Sequence, residues 1–331
     1  MALDIVNGPT GAPAISVSIG SETVLLQSYY TATIQSVVAD VFGTGSRIQA
    51  GTGNDFVNVT GSNNTVWGSA GNTVVNISGN FDSVQGGSGS IVISDHGYRS
   101  TVAAGTGHSL IFAAGSNSLV YAGGQSTIVG GANLETVIGG NDNGAETIFA
   151  GTGGMVFYGG SDATTFVGAS SSSTLVGGRG AETIYGSDGS NLTFWGSSNG
   201  NIFSAGAGNE TLNAAGATGN NEFFAGTGSA SLSGGSGNDT LVGSSGHATM
   251  TGGAGNDTFL FQVGQGGGSN LITDFNANDR LQVFGESTNS VLQTAQTVTG
   301  ANGATGVMVT LSDNTQITVL GATGLNTGNF A

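Results

Sequence analysis

An apolar residue recurs every nine residues from Ile48 to Phe259, and this period constrains the fold more than any other feature of the chain. Only two steps of ten residues and one of eleven interrupt the interval. The repeated apolar residues are Ile48, Val57, Val66, Val75, Val84, Ile93, Val102, Ile111, Val120, Val129, Ile138, Ile148, Phe157, Phe166, Leu175, Ile184, Phe194, Phe203, Leu212, Phe223, Leu232, Leu241, Met250 and Phe259. Such self-similarity predicts a repeat architecture, in which each repeat buries its apolar residue against its neighbours.

The repeats are made of short strands rather than helices. Glycine makes up 63 of the 331 residues, and each glycine costs about 1 kcal/mol relative to alanine inside a helix. Each window is typical of a Gly/Asn/Ser turn followed by a short strand whose repeated apolar side chain points inward. We therefore predict an all-β parallel solenoid over 42–261. Residues 1–41 would form an N-terminal cap or assembly segment, and 262–331 a C-terminal β cap.

A longer repeat predicts the size of one coil. An acidic residue one or two positions before the repeated apolar residue recurs in the segments 146–149, 182–185, 222–224 and 257–260, four windows apart each time. A coil of three windows would place successive copies on different faces, whereas a coil of two keeps them on one face. The sequence therefore favours a flattened coil of about 18 residues with two strands, and about 12 coils in all.

The charge balance excludes several partners. Twenty acidic residues face four arginines, for a net charge of −16, whereas nucleic acids and anionic membranes attract clustered basic residues. No apolar run is long enough to span a membrane. The first 30 residues lack a basic segment followed by an apolar one, so we expect no conventional signal peptide. With no cysteine, no disulfide is expected.

Three windows share the pattern Gly-x-Gly-Asn-Asp followed by an apolar strand, at 51–55, 235–239 and 253–257. This pattern resembles the calcium-binding nonapeptide of the RTX (repeats-in-toxin) proteins. Residues 271–281 are similar to the segment that follows the roll in RTX C-terminal domains. Residues 311–319 and 328–331 resemble the terminal hairpin and signal used in type I secretion.

The resemblance implies Ca²⁺ bound between turns one coil apart, through Asp carboxylates and turn carbonyls, the hard oxygen ligands that this ion prefers. Asp239 and Asp257 are 18 residues apart and form the principal predicted site, with Glu222 one coil earlier as part of a poorer one. The full set of metal-site candidates is Asp239, Asp257, Gly235, Gly237, Gly253, Gly255, Glu222 and Asp55. Most other windows lack the Asp, and Asn278 and Gln282 depart from the family's usual residues. We expect few ions, near the C-terminal end; alternatively, the acids only cap turns.

Candidate catalytic groups do not form a recognisable constellation. Gly107-His108-Ser109-Leu110 is followed by Ile111 rather than the glycine of a hydrolase elbow. The three histidines lack metal-ligand spacing, and the regular repeat already accounts for Glu146 and Glu182. We therefore expect no enzyme activity.

Aromatic residues follow the inward position in several windows and should point outward. They are Trp67, Phe112, Tyr121, Phe149, Tyr158, Tyr185, Trp195 and Phe224. Local packing over glycine-rich coils would explain them, as would contact with another protein or stacking on polysaccharide rings. Phe112, Tyr121, Phe149, Tyr158, Tyr185 and Trp195 are the candidate interaction surface. No sustained outward threonine ladder is expected.

These expectations point to a secreted structural protein, located outside the cell or on its surface. It would assemble with itself into a surface layer, a filament or a biofilm matrix, and calcium would stabilise its fold. The alternative is an extracellular adhesin that binds cell-surface polysaccharide on its outward aromatic residues.

Overall fold

A computed structural model describes residues 3–7, 23–27 and 36–331, apart from 188, 190, 197, 198, 265, 266, 301 and 302. The chain divides into two compact units, residues 1–165 and 166–331, and each is described by itself. The first unit contains β1 (Leu3–Asn7), β2 (Thr23–Gln27), β3 (Ser36–Val41), β4 (Arg47–Gln49), β5 (Asn54–Val59), β6 (Thr65–Trp67), β7 (Asn72–Ile77), β8 (Ser83–Gln85), β9 (Ile91–Asp95), β10 (Thr101–Ala103), β11 (His108–Ala113), β12 (Leu119–Tyr121), β13 (Gln125–Gly130), β14 (Glu135–Ile138), β15 (Ala145–Phe149) and β16 (Met155–Tyr158).

Strand β17 (Ala163–Val167) lies at the division between the units. The second unit contains β18 (Ser173–Val176), β19 (Glu182–Tyr185), β20 (Leu192–Trp195), β21 (Ile202–Ser204), β22 (Asn209–Asn213), β23 (Glu222–Phe224), β24 (Ser229–Gly235), β25 (Thr240–Val242), β26 (His247–Gly253), β27 (Thr258–Gln262), β28 (Ser269–Ile272), β29 (Arg280–Phe284), α1 (Thr288–Gln293), β30 (Gln296–Thr299), β31 (Thr305–Thr310), β32 (Gln316–Leu320) and a 3₁₀ turn at Thr327–Asn329. None of the described helices is long and apolar enough to cross a membrane.

Each unit consists of two parallel sheets that face each other across a thin core. Sheet A contains β1, β31 and the even-numbered strands, and sheet B contains the odd-numbered strands from β3 to β29. Paired residues are usually 18 apart, as in Ile48 with Val66 on sheet A and Val57 with Val75 on sheet B. The predicted all-β parallel solenoid is thereby confirmed, with two strands and about 18 residues per turn and about 13 turns.

The core is the column of repeated apolar residues. Twenty-two of the 24 predicted inward positions are at most 1% exposed. Val129 and Ile138 are the exceptions, because Ile128 and Val137 point inward in their place. The loop before β13 is one residue shorter than its neighbours, which moves both strands by one residue. Side chains alternate along a strand, so this shift turns Val129 and Ile138 outward.

The solenoid begins before the predicted boundary at residue 42. Strand β3 pairs with β5 in the 18-residue register, with Ala39 opposite Val57. The backbones of β1, β2 and β4 also pair in parallel. Of the segment assigned to an N-terminal cap, residues 1–2, 8–22 and 28–35 lie outside the described part of the chain.

An antiparallel meander closes the end of the second unit. Strands β30, β31 and β32 pair antiparallel, and β32 then pairs in parallel with β28. The meander therefore covers an edge of sheet A that would otherwise expose unpaired backbone groups. On sheet B, Phe330 bridges to Leu281 of the last strand, β29.

Candidate metal centre

In the second unit, the turns that lead from sheet A to sheet B form one edge of the coils, here called the AB edge. The residue two positions before each inward apolar residue of sheet B lies on this edge, and its side chain points into the coil. Successive coils place Glu182, Asn201, Asn221, Asp239, Asp257 and Asp279 in this buried column.

The column is a ladder of hydrogen bonds between coils. The backbone N–H of Asn221 donates to Asp239 Oδ1 at 2.7 Å, and that of Asp239 donates to Asp257 Oδ1 at 2.8 Å. The N–H of Asp257 donates in turn to Asp279 Oδ1 at 3.1 Å. Asp239, Asp257 and Asp279 each accept a hydrogen bond from the coil before, so one oxygen of each of these carboxylates has a partner.

The second oxygen of two carboxylates has no such partner. Asp239 Oδ2 and Asp257 Oδ2 are buried and accept no hydrogen bond. A buried carboxylate oxygen without a partner is costly, so these two atoms are suited to bind a cation. They are the two residues of the principal predicted site.

Glycines make room beside these oxygens. A Cβ atom on Gly234 would collide with Asp239 Oδ2 and with the carbonyl oxygen of Gly252, and one on Gly252 would collide with Asp257 Oδ2. Carboxylate and carbonyl oxygens therefore line the same small space.

The glycines of the predicted site are required by the shape of these turns. Gly235, Gly253 and Gly255 have φ values of 124°, 99° and 131°, and positive φ of this kind favours glycine. Gly237 is required for space, because a Cβ atom there would strike the backbone of Gly219.

Electrostatics also favour a cation here. Burial, together with the charges of Asp279, Asp239 and Asp274, raises the pKa of Asp257 to about 6. Burial likewise raises the pKa of Asp239 and of Asp279. Asp274 accepts hydrogen bonds from the backbone N–H groups of Gly252 and Gly253. A divalent cation would relieve the repulsion among these carboxylates.

The donor set suits calcium. Asp239 and Asp257 would hold the ion through their free oxygens, and turn carbonyls such as that of Gly252 would complete an all-oxygen shell. Among the described residues, no three Asp, Glu, His or Cys side chains converge to hold a metal by themselves. Carbonyl oxygens must therefore supply much of the coordination.

Glu222 does not occupy the position expected of it. It pairs with Thr240 rather than Asp239 and is exposed, while Asn221 takes the place above Asp239. Counting two residues back from each inward apolar residue would have found Asn221 and Asp279. Glu146 and Glu182 do lie two positions before their inward residues, whereas Glu222 lies only one position before Phe223.

Asp55 lies at the equivalent turn of the first unit. It is buried, and its Oδ2 accepts a hydrogen bond of 2.6 Å from the backbone N–H of Gly51. Its neighbour on the next coil is Thr73. The structure therefore brings no second carboxylate to Asp55 from that coil.

The predicted aromatic residues do point outward. In the first unit Phe112, Tyr121, Phe149 and Tyr158 are exposed, and in the second Tyr185, Trp195 and Phe224 are exposed. Consecutive windows belong to opposite sheets, however, so Phe112 and Tyr121 lie on opposite faces, as do Phe149 and Tyr158. Phe112 and Phe149 share sheet B with Val129 between them, and Tyr121 and Tyr158 share sheet A with Ile138 between them. They form two columns rather than one array.

A hydroxyl column on sheet A of the second unit was not expected. Its outward members pair in register and are Thr174, Thr193, Thr211, Ser231 and Thr249. The prediction that no outward threonine ladder exists was therefore wrong. The ladder is hidden in the sequence because its steps vary from 18 to 20 residues.

Comparison with known families supports this site. The RTX calcium-binding nonapeptide repeat matches the chain four times, at residues 43–75, 158–192, 215–250 and 224–259. The last two matches contain Asp239, and the last also contains Asp257. No curated protein matches the chain.

The raised pKa of Asp257 predicts a pH dependence for the calcium-free protein. The folded state holds this proton more tightly than the unfolded chain, whose Asp titrates near 3.8. The stabilisation that comes from this tighter proton binding is therefore complete below about pH 4 and is lost as the pH rises through about 6. In chelator, we expect the melting temperature to fall over this interval.

Asp257→Asn serves as the control for this pH dependence, because its amide cannot titrate. The variant should show a smaller fall in melting temperature between pH 4 and pH 7 than the parent protein. Identical pH profiles for the two proteins would contradict the assignment. Thermal melts followed by circular dichroism in chelator provide the measurement.

Proposed function

Because this chain is an RTX β-roll protein whose repeats bind calcium, we propose that it is a secreted structural protein that assembles with itself outside the cell. Such repeats are typical of secreted proteins. A surface layer, a filament or a biofilm matrix would suit a chain whose described residues are mostly solenoid. The proposal includes no catalytic step.

The observation that carries this proposal is an apolar column on the outer face of sheet B in the first unit, here called the B face. Each coil contributes one outward side chain at the centre of its strand. In register these are Val38, Phe56, Val74, Val92, Leu110, Thr127 and Thr147. Val38 to Leu110 are all half-buried, so five successive coils present an aliphatic or aromatic group to the outside.

Uncharged side chains flank this column. On one side, Asn76 donates to Asn58 Oδ1 at 2.9 Å, and Asn58 donates to Asp40 Oδ1 at 2.7 Å. The same side ends in Phe112, Val129 and Phe149. On the other side, Asn72 donates to Asn54 Oδ1 at 2.9 Å. Among the described outward residues of the B face, only Asp40 carries a formal charge.

A second copy of this chain fits the B face better than an unrelated charged partner. The chain carries a net charge of −16, so two copies can approach closely only where the acids are absent. Seven strands at ~4.8 Å, each ~15–20 Å wide, would bury roughly 1,000 Å² in total between two copies. An interface of this size is weak by itself, as expected for an assembly in which each copy makes several contacts.

Calcium would control when assembly becomes possible. Low calcium in the cytosol would leave the acidic AB edge of the second unit without its cation, and that unit would be less stable. Calcium outside the cell would bind the folded state and stabilise it by linkage. The resemblance of the C-terminal residues to a type I secretion signal suits this route of export.

Introducing a charge into the B face tests the proposal. Val92→Glu places a carboxylate at the centre of the apolar column, where pairing of two faces would bury it without a partner. In excess calcium, we expect the parent protein to form ordered polymers or sheets by light scattering and electron microscopy. We expect Val92→Glu to need at least a tenfold higher concentration to do so.

The matched control is Thr101→Glu, which adds the same charge to sheet A of the same unit and should leave assembly unchanged. Equal loss of assembly in both variants would show that net charge rather than the B face is responsible. A parent protein that stays monomeric with and without calcium would overturn the proposal. That result would instead favour the polysaccharide-binding alternative.

A further inference from the structure

The turns that lead from sheet B to sheet A in the first unit share one unusual backbone position. In five successive coils, the residue two places before the sheet A strand has a positive φ of 55–75°. These residues are 18 apart and stack on one another: Gly45, Asn63, Phe81, Arg99 and Asn117. The backbone N–H of Phe81 donates to the Tyr98 carbonyl at 2.9 Å, and that of Arg99 donates to the Ser116 carbonyl at 2.8 Å.

Two of the five positions hold residues that this backbone disfavours. Glycine and asparagine adopt the left-handed conformation readily, and they occupy the first, second and fifth positions. Phe81 and Arg99 occupy the third and fourth, with φ of 57° and 55°. Large residues at positive φ are uncommon outside functional sites, where the surrounding structure holds the strain.

The two strained residues meet on the surface. The Arg99 guanidinium lies 5.8 Å from the centre of the Phe81 ring. Tyr98 packs edge-on against Phe81 with ring centres 6.0 Å apart. Phe81 is 50% exposed and Tyr98 43% exposed. The strain therefore maintains a cluster of two aromatic rings and one cation in solvent, rather than a buried contact.

The charge of Arg99 is not neutralised within the described part of the chain. Its guanidinium forms no hydrogen bond or ion pair there, although the chain contains 20 acidic residues. The guanidinium lies over the Phe81 ring, and its N–H groups remain available to a ligand. A planar set of N–H donors is suited to bidentate binding of a carboxylate.

Polar groups surround the cluster on the neighbouring turns. Asn80 and Ser116 pair with Tyr98 through parallel backbone bridges, and Asn63 and Asn117 lie one coil to either side in the left-handed column. The three asparagines are exposed. Their side-chain amides offer hydrogen-bond donors and acceptors around the rings and the cation.

We propose that Phe81, Tyr98 and Arg99 form a binding site for a carboxylated saccharide, with the carboxylate of a uronate residue on Arg99 and the apolar face of its ring on Phe81 or Tyr98. The ligand class follows from the site: the free cation selects an anion, the exposed rings select a flat apolar face, and the surrounding amides match hydroxyl groups. An acidic loop of a second copy would satisfy the cation, but it would leave the two rings exposed.

Calorimetry with defined sugars tests this site in the full-length protein at fixed free calcium. The probes are a trimer of galacturonate and, as the neutral match, a trimer of galactose. We expect the uronate trimer to bind with a submillimolar Kd that weakens with salt, and the neutral trimer to bind at least tenfold more weakly. Arg99→Asn and Phe81→Asn should each weaken uronate binding at least tenfold.

These two variants separate binding from folding. Asparagine accepts the left-handed backbone at both positions, so the melting temperature should stay equal or rise while binding is lost. Arg47→Gln removes a different exposed arginine, on sheet A, and should bind as the parent protein does. Unchanged uronate affinity in Arg99→Asn, or equal affinity of the parent protein for both trimers, would overturn the proposal. Loss of self-association in Arg99→Asn without any uronate binding by the parent would assign the site to a second copy instead.

Discussion

Replacing Phe203 with alanine is expected to lower the free energy of unfolding by about 3–5 kcal/mol, the range for removing a buried phenylalanine. Phe203 is fully buried in the second unit. Its ring lies 4.5 Å from that of Phe194 across the core and 4.9 Å from that of Phe223 on the next coil. Each sheet contributes a single layer of side chains to this thin core, so little else can move into the cavity. Urea unfolding in excess calcium, followed by circular dichroism, measures the loss.

The neighbouring Phe224 provides the control. It follows Phe223 in β23, points outward and is 37% exposed. Phe224→Ala should therefore cost under ~1 kcal/mol, as expected for a surface substitution away from the core. If Phe203→Ala and Phe224→Ala had equal effects, the alternation that defines this coil would be incorrect.

The second large effect concerns calcium. At a free calcium concentration of 100 times Kd, the parent protein should gain about 2.7 kcal/mol of stability by linkage. The double variant Asp239→Asn, Asp257→Asn should gain little, because it lacks the two AB-edge carboxylates whose Oδ2 atoms are buried and accept no hydrogen bond. In chelator at pH 7, its stability should equal or exceed that of the parent, since its amides bury no charge. Melting temperatures with and without calcium give both comparisons.

Glu222→Gln is the matched control for this experiment. It removes one carboxylate from a strand beside the site, but that side chain is exposed and out of register with Asp239. The variant should retain the full calcium response. A loss as large as in the double variant would contradict the position that the structure gives to Asn221.

Much of the fold follows from the period alone. Ile48, Val57 and most later members of the series are inward because a nine-residue spacing with glycine-rich turns leaves few other ways to bury them. The 18-residue spacing of Asp239 and Asp257 likewise places them on one edge of adjacent coils. These inferences succeed because they depend on local turn chemistry and on the strict alternation of side chains along a strand.

Two of the failures are shifts of a single residue along the chain. A loop shortened by one residue turns Ile128 inward in place of Val129, and an offset of one residue separates Glu222 from Asn221. Periodicity locates a strand to within a residue, but a shift of one residue exchanges its two faces. The start of the solenoid before residue 42 was missed because β3 lies ahead of the regular series.

The sequence by itself determined that this chain stacks short parallel strands into a two-sided solenoid with acidic calcium turns, because apolar spacing and glycine-rich turns are local properties of the chain. Only the tertiary structure decided which side chains become neighbours across coils. The B face joins Val38 to Leu110, and the surface cluster joins Phe81 to Arg99, through residues about 18 apart that no local pattern connects. Those contacts depend on the summed lengths of the intervening loops, and the backbone pairing between coils establishes them.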